Sequence, residues 1–458
     1  MIPSKAIFRA YDIRGVVSDA LTPEAVTQIG QAFGSECNDR GLTKAVVARD
    51  GRVSGPDLIE ALSEGMQAAG LEVIDIGMVP TPVLYYATYA LETGTGVMVT
   101  GSHNPPEYNG LKMVLDGAAL YGDGIMNLYN RIEKGDLVTG TGGYSRTDIW
   151  EDYLNRILGD VSLKRKMRIA YDCGNGVTGM AAPQLFEGLG CDAEGLFTQV
   201  DGNFPNHHPD PAKLDNLQDL IKVVTENNLD LGLAFDGDGD RVGIVDNKGQ
   251  VIWPDRQMVL YAQDVLSRNP GAKIIYDVKC SKVLPAAITA AGGEPEMWKT
   301  GHSFIKARIK ETGALLGGEM SGHIFFKERW YGFDDALYSA ARLLEILSGI
   351  DRPVSDIFGD IPNSINTPEI SILLDQDGAQ HEFVEAFAHN AKFDGATLTT
   401  IDGVRADYPD GWGLLRASNT TPSLVIRFEA DTEEALSRIQ NEFKHVMQQT
   451  DSSIAIPF

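Results

Sequence analysis

The chain has 458 residues, too many for one compact core, so its length points to three or four domains. Its 39 basic and 64 acidic side chains leave a net charge of −25, which argues against broad contact with nucleic acid or an acidic membrane. No apolar run reaches the roughly 18–20 residues of a membrane span, and MIPSKAIFRAYDIRG carries charges where a signal peptide has its apolar centre, so a cytoplasmic protein is expected. The cysteines (Cys37, Cys173, Cys191, Cys280) are dispersed without a CxxC pair and read as reduced thiols, not as a zinc site or a disulfide scaffold.

In chain order, AVVA near residue 45 reads as a short buried strand running into the turn RDGRVSG and the helix PDLIEALSEGMQAAG. LEVIDIG is a second strand, and a third, GVMVT, empties into GSHNPPEYNG. The same order returns with MRIAY, the turn DCGNGVTG, the helix AAPQLFEGLG, and LGLAF emptying into DGDGDR. It returns again with KIIYDV, the turn KCSKV, the helix LPAAITAAGG, and ALLGG running into EMSGH. Short apolar runs alternating with amphipathic helices predict mainly parallel α/β units, with ligands gathering beyond the carboxyl ends of the strands. After about residue 363 the strands TPEISILL and PSLVIRFEA and the helix EEALSRIQNEFKHVMQQ predict a smaller α+β domain. The expected fold is three similar mixed α/β domains, 1–148, 149–250 and 251–362, and a C-terminal α+β domain, 363–458.

The loops at the ends of these strands carry the chemistry. In TGSHNPPEYNG, Ser102 follows Gly101 at a strand end, with His103 and Lys112 close in sequence. Asn-Pro and Asn-Gly are also common turn chemistry, so a plain polar turn has equal standing here. A serine hydrolase is the weaker option, because the flanks do not form GxSxG. In DGDGDR, Asp236, Asp238 and Asp240 alternate with glycines, and carboxylates this close repel unless a cation neutralises them. An all-oxygen set suits a hard ion such as magnesium. An EF-hand fails because Arg241 stands where its Gly is needed and Asn247 where its bidentate Glu is needed. The phosphatase pattern DxDx[TV] fails because Asp240 stands at its Thr or Val.

GEMSGH places Glu319 and Ser321 two apart, which on an extended loop points both the same way and would suit neighbouring hydroxyls of a ligand, with His323 closing the loop; taken alone, it reads more readily as a plain turn. RASNTTPS gathers Arg416, Ser418, Asn419, Thr420 and Thr421, a guanidinium and several polar groups suited to a phosphate, although a capped turn would use the same residue types. A competing pattern is Gly174, Gly176 and Gly179 in DCGNGVTG, which fits GxGxxG with Glu194 downstream and would suit an NAD-dependent oxidoreductase. That alternative leaves the aspartate loop and RASNTT without a role.

Taken in order, these loops resemble those of the α-D-phosphohexomutase superfamily, and the resemblance covers essentially the whole chain. TGSHNPPEYNG is similar to the family's phosphoserine loop, DGDGDR to its metal loop, GEMSGH to its sugar loop and RASNTTPS to its phosphate loop; FRAYDIRG, DVKCS and KTGHSFIK also resemble family segments. The bacterial phosphomannomutase/phosphoglucomutase branch is the nearest, which implies four domains around a central cleft. The resemblance implies that Ser102 is stored as phosphoserine, with Mg²⁺ held by Asp236, Asp238, Asp240 and an oxygen on Ser102, and with Arg241 balancing charge. It implies that Arg416, Ser418, Asn419 and Thr420 grip the substrate's phosphate and that Glu319, Ser321 and His323 meet the sugar. Lys112, His103 and His302 are its acid–base candidates, and Tyr11, Arg14 and Lys279 would line the cleft.

A hexose 1,6-bisphosphate would be the intermediate and activator. The GEMSG form is like that of enzymes accepting mannose and glucose phosphates, whereas the glucosamine-phosphate branch usually has Gln where Met320 stands. Phosphomannomutase activity feeding GDP-mannose synthesis is the first expectation, with phosphoglucomutase activity alongside. The partners expected are hexose phosphates, with no nucleic acid or membrane, for a monomer or weak dimer.

Overall fold

The repeated strand–helix order builds three related sheets and one different one. The computed structural model describes residues 2–376, 378–419 and 421–458. In the first sheet the strands Gly96–Val99, Lys44–Arg49, Glu72–Met78 and Tyr144–Arg146 run parallel. Tyr108–Leu115 and Ile13–Val16 extend it antiparallel beyond Gly96–Val99, with Val99 opposite Leu111 and Ile13 opposite Leu111 on the far side.

The second sheet has the order Val251–Ile252, Val242–Asp246, Leu231–Phe235, Arg168–Asp172, Asp192–Leu196. The third has the order Glu294–Trp298, Lys273–Asp277, Leu316–Gly318, Ile324–Phe326. The fourth is antiparallel throughout, with Gly411–Ala417 and Ser423–Ala430 at its centre and the helices Ala379–Asn390 and Glu433–Thr450 packed on it.

The first three sheets are mixed, and the departure from parallel pairing is the same in each. The strand that carries the chemical loop turns back through that loop into an antiparallel neighbour: Gly96–Val99 into Tyr108–Leu115, Leu231–Phe235 into Val242–Asp246, Leu316–Gly318 into Ile324–Phe326. The loops are therefore anchored by paired strands at both ends. A crossover helix would have left one end free to follow the helix. Apolar alternation cannot distinguish the two, because a buried strand reads alike in either direction.

One apolar cluster runs through the first three sheets, from Val46 and Tyr86 through Tyr153 and Phe235 to Ile274 and Leu337. Burial of that extent fixes the three loops relative to one another. The fourth sheet has its own core around Phe387, Phe428 and Phe443. Its apolar junction with the third is small: Val278, Trp412 and Leu414. Polar ties supplement it. Arg405 donates to the carbonyls of Val278 and Cys280 at 2.6 and 2.8 Å, Arg427 to that of Lys279 at 2.5 Å, and Ser281 to Glu429 at 2.9 Å.

Trp412 is fully buried with the Arg405 guanidinium 3.9 Å from its ring centre. Trp412→Ala removes this buried packing and the Arg405 contact and is expected to cost about 3–5 kcal/mol, read as a lowered midpoint in denaturant unfolding. Among the described residues no helix is long and apolar enough to cross a membrane.

Candidate active site

The four loops face one cleft of about 860 Å³. Tyr11, Arg14, Ser102, His103, Lys112 and Arg241 line one side of it. Lys279, His302, Glu319, Ser321, His323, Arg416, Ser418 and Asn419 line the rest. The aspartates of DGDGDR lie buried beneath this floor. Thr420 lies outside the described residues. The remaining candidates, scattered over 400 residues of sequence, are brought together.

Ser102 closes the turn after Gly96–Val99 with φ at 49°, a left-handed conformation that side chains other than glycine rarely adopt. Its hydroxyl donates to Asp236 Oδ2 at 2.9 Å and lies 3.3 Å from His103 Nδ1, and Arg241 Nη2 reaches it at 3.4 Å. Arg241 also contacts His103 Nδ1. Burial, then Arg241 and Arg14, push the His103 imidazole well below its usual pKa, so it is neutral at pH 7.

Asp236 turns its other oxygen inward, where the backbone N–H groups of Gly239, Asp240 and Arg241 donate at 3.0, 3.1 and 3.2 Å. This is the local fold that the Asp-Gly alternation makes: the chain wraps around one carboxylate and aims the next two at the same point. Asp238 accepts from Thr81 Oγ1 at 2.6 Å and Lys112 Nζ at 2.7 Å, and Lys112 also bonds Asp240. One oxygen of each of the three aspartates lies within 4.8 Å of the others.

The three respond differently to this crowding. Burial and the charges of Asp240 and Asp238 drive Asp236 well above the usual carboxylate range. Burial also penalises Asp240, but Lys112 and His323 outweigh it and hold Asp240 well below that range. Burial opposes the charge on Lys112 too, and Asp238 and Asp240 overcome it, so its ammonium is held firmly protonated.

Asp238 Oδ1 is buried without a hydrogen-bond partner, and Asp240 Oδ1 has only the more distant His323 imidazole, 3.4 Å away. A buried acceptor left in this way costs free energy unless a cation takes it up. An all-oxygen, multiply charged set with unsatisfied lone pairs fits a hard divalent ion such as Mg²⁺.

On the third sheet, Glu319 and Ser321 both face His323: its Nδ1 lies 2.9 Å from Glu319 Oε2 and 2.9 Å from Ser321 Oγ. The two side chains do point the same way, but towards a protein partner. His323 Nε2 is 3.4 Å from Asp240 Oδ1, so this imidazole joins the GEMSGH loop to the aspartate loop. Burial works against its charge, yet Asp240 and Glu319 raise its pKa to about 9.

His302 behaves oppositely. Burial, then Lys306, Lys112 and His323, lower its pKa well below normal, leaving it neutral. Tyr11 packs edge-on against it with ring centres 5.5 Å apart. Arg14 pairs with Asp12 at the cleft mouth.

Across the cleft, Arg416 is buried with Nε on Asp402 Oδ2 at 3.0 Å, and the same oxygen accepts from the backbone N–H of Thr300 at 3.0 Å. Ser418 Oγ accepts from the N–H and hydroxyl of Thr421 at 3.2 and 3.0 Å, which closes the RASNTT turn on itself. Lys279 pairs with Glu369 at 3.1 Å. Sequence reasoning missed Thr81, Glu369 and Asp402, which hold Asp238, Lys279 and Arg416 from distant segments. No local pattern marks any of them.

The glycine turn 174–179 does not serve a dinucleotide. A side chain at Gly176 would sit 2.9 Å from the Gly237 carbonyl, and one at Gly179 would overlap the Thr198 backbone, so Gly176 permits close packing behind the aspartate loop and Gly179 against the turn after Asp192–Leu196. The turn runs into a short 3₁₀ segment, Val177–Met180, followed by the seven-residue helix Ala182–Gly188, not into a long helix with an open N-terminus.

Four domain models of one family match this chain, in order. Domain I of phosphoglucomutase/phosphomannomutase matches residues 5–139, domain II 151–249, domain III 253–365 and the C-terminal domain 373–446. The chain is 57% identical over 453 residues to "Phosphomannomutase/phosphoglucomutase" of Pseudomonas aeruginosa, covering 99% of this chain and 98% of that one. It is 52% identical over 454 residues to "Phosphoglucomutase" of Neisseria meningitidis, covering 98% of each. A crystal structure of a phosphoglucomutase/phosphomannomutase family protein from Burkholderia thailandensis superposes with a TM-score of 0.95 at 52% identity, covering 100% of both chains. With every domain matched and near-complete relatives at this identity, the chain belongs to the phosphoglucomutase/phosphomannomutase family, within the α-D-phosphohexomutase superfamily.

Proposed function

We propose that this enzyme interconverts the 6- and 1-phosphates of mannose and of glucose, with Ser102 carrying the phosphoryl group between them. The observation that carries the reading is the placement of the Ser102 hydroxyl, 2.9 Å from Asp236 in the same cleft that Arg416 lines from the fourth sheet. The names of the relatives, one combining both sugars and one naming glucose alone, support a substrate class of hexose phosphates.

The cycle needs one group to hold a phosphate while another transfers one. Arg416, with Ser418 and Asn419 beside it, binds the phosphate that does not react, and its planar fork matches two phosphate oxygens. Glu319 and Ser321 meet neighbouring ring hydroxyls by exchanging their contacts with His323 for contacts with the sugar. A C2 epimer is accepted where those contacts fall on O3 and O4.

The free sugar hydroxyl oxygen then bonds the phosphorus of phosphoserine 102 as the P–Oγ bond breaks, and the departing Ser102 Oγ takes up a proton from water in the cleft. The hydroxyl proton passes to a neighbouring base, for which the neutral imidazole of His302 is suited. Lys112, held protonated, and Arg241 stabilise the negative charge on the transferring group. The resulting hexose 1,6-bisphosphate turns over in the cleft, and the phosphate first held by Arg416 returns to Ser102. Asp236, Asp238 and Asp240, with an oxygen on Ser102, would hold Mg²⁺, which when bound supplies positive charge next to the phosphoryl oxygens. A cytoplasmic place supplying mannose 1-phosphate for GDP-mannose synthesis follows from this reading.

Assaying mannose 1-phosphate, glucose 1-phosphate and glucosamine 1-phosphate with Mg²⁺ tests it. Conversion of the first two to 6-phosphates is expected; no turnover, or turnover of glucosamine 1-phosphate alone, would overturn it. Arg416→Lys keeps the charge and loses the fork, so KM for hexose phosphates is expected to rise about tenfold or more in steady-state assays.

A further inference from the structure

Resting on the reading of Ser102 as the phosphoryl carrier, we propose that Arg52 is the positioning residue of that serine, holding the main chain of its loop so that Oγ faces the transferring group. Arg52 does not line the cleft and is 1% exposed. It sits in the turn after the strand Lys44–Arg49, a turn with no chemical signature of its own.

Its guanidinium gathers four carbonyls of one loop. Nη1 donates to Pro105 and Tyr108 at 2.7 and 2.8 Å, and Nη2 donates to Ser102 and Asn104 at 2.8 and 2.6 Å. Four carbonyl oxygens aimed at one point repel, and only a cation with several donors in a fixed fork satisfies them together. A lysine ammonium has three donors and no plane.

Asp50 anchors the arrangement from behind. It accepts from the Arg52 N–H at 3.0 Å, from Thr100 Oγ1 at 2.8 Å and from the Gly101 N–H at 3.2 Å, and its Oδ2 lies 3.4 Å from Arg52 Nε. Thr100 Oγ1 in turn accepts from the Ser102 N–H at 2.8 Å. The nucleophile's own residue is thus tied on both sides, its N–H through Thr100 to Asp50 and its C=O to Arg52.

Such double restraint is what a left-handed serine needs, because φ of 49° persists only where the surroundings over-determine it. Gly101 lets the loop come this close, since any side chain there would overlap the guanidinium. The Phe204 ring, from the second sheet's side of the molecule, covers the guanidinium with its centre 5.3 Å from Cζ. Arg52 therefore acts at the seam where the serine loop meets the aspartate loop, and it touches no substrate.

The test compares wild type, Arg52→Lys and Arg52→Gly. Each is first treated with glucose 1,6-bisphosphate and Mg²⁺, and phosphoserine at Ser102 is quantified by mass spectrometry. Arg52→Lys is expected to lose about 100-fold in kcat with mannose 1-phosphate. Its KM should stay within about twofold, because the groups that hold the resting phosphate lie on the fourth sheet. Guanidinium chloride at millimolar concentration should restore part of kcat to Arg52→Gly, and ethylammonium should not.

A kcat in Arg52→Lys equal to that of wild type, or one reduced only in proportion to the folded fraction seen by near-ultraviolet circular dichroism, would overturn the proposal. Should the Arg52 variants not fold, Asp50→Asn takes their place: a reduced kcat at unchanged KM supports the proposal, and an unchanged kcat overturns it. A wild-type enzyme with no phosphoryl group on Ser102 would instead defeat the reading of Ser102 itself, and the proposal with it.

Discussion

Ser102→Ala is expected to abolish mutase turnover, a loss on the order of 10⁶-fold, as for other enzymic nucleophiles that act as part of a unit. The hydroxyl oxygen is the only non-hydrogen atom removed, and in the proposed cycle it is the acceptor to which each phosphoryl group must return. Alanine tolerates the left-handed φ of this position about as poorly as serine does, so the backbone penalty is common to both proteins. The hydrogen bond to Asp236 is lost, and Asp236, already pushed upward by burial and its aspartate neighbours, then takes up a proton more readily. The unfolding midpoint should therefore change little while activity disappears. Parallel measurement of thermal unfolding and of mannose 1-phosphate turnover checks both halves. A variant that retains full activity would remove Ser102 from the mechanism.

The second large effect concerns the aspartate loop. Chelation is expected to stop turnover, and Mg²⁺ to restore it. Asp238→Asn should weaken Mg²⁺ by about 100-fold or more, because it removes one formal charge from a three-carboxylate set and replaces one ligand oxygen by an amide N–H₂. A readout independent of activity follows from mass action. Mg²⁺ at 100 times its Kd adds about 2.7 kcal/mol to the folded state, so the wild-type melting temperature should rise with Mg²⁺ and that of Asp238→Asn should rise far less at the same concentration. A phosphoserine makes the need for a cation greater, since it adds nearly two negative charges beside carboxylates that Lys112 and Arg241 only partly balance. Equal melting shifts in the two proteins would count against this loop as the metal site.

The fourth sheet adds a structural reason for the cleft's form. The first three sheets share one apolar core, whereas the fourth is joined through a small apolar patch and through charged side chains that donate to backbone carbonyls. Exchanging such bonds for water costs far less than separating a greasy core, as is usual at interfaces between domains. Arg416, the proposed phosphate ligand, thus stands on the sheet with the small apolar attachment, opposite Ser102 on one of the three sheets that share a core.

What the amino-acid sequence determined by itself was the local chemistry. DGDGDR, TGSHNPPEYNG and GEMSGH each lie at a strand end, and residue type with spacing marked Asp236, Asp238 and Asp240 as candidates; Ser102, Glu319 and Arg416 stood out from plain turns only through the order of the loops and their resemblance to a family. The alternation of apolar runs and amphipathic helices likewise marked the strands Lys44–Arg49, Arg168–Asp172 and Lys273–Asp277, because buried strands between helices leave that signature in the chain.

Tertiary structure alone decided which distant groups hold those loops in place. Thr81 reaches Asp238 across 157 residues, Glu369 reaches Lys279 across 90, and Arg52 reaches the Ser102 carbonyl across 50. It also decided that the strand after each loop returns antiparallel, and that Glu319 and Ser321 turn to His323. Each of these depends on the packing of elements far apart in sequence, and a single polar residue in a turn looks the same whether it ends up in water or against a catalytic loop.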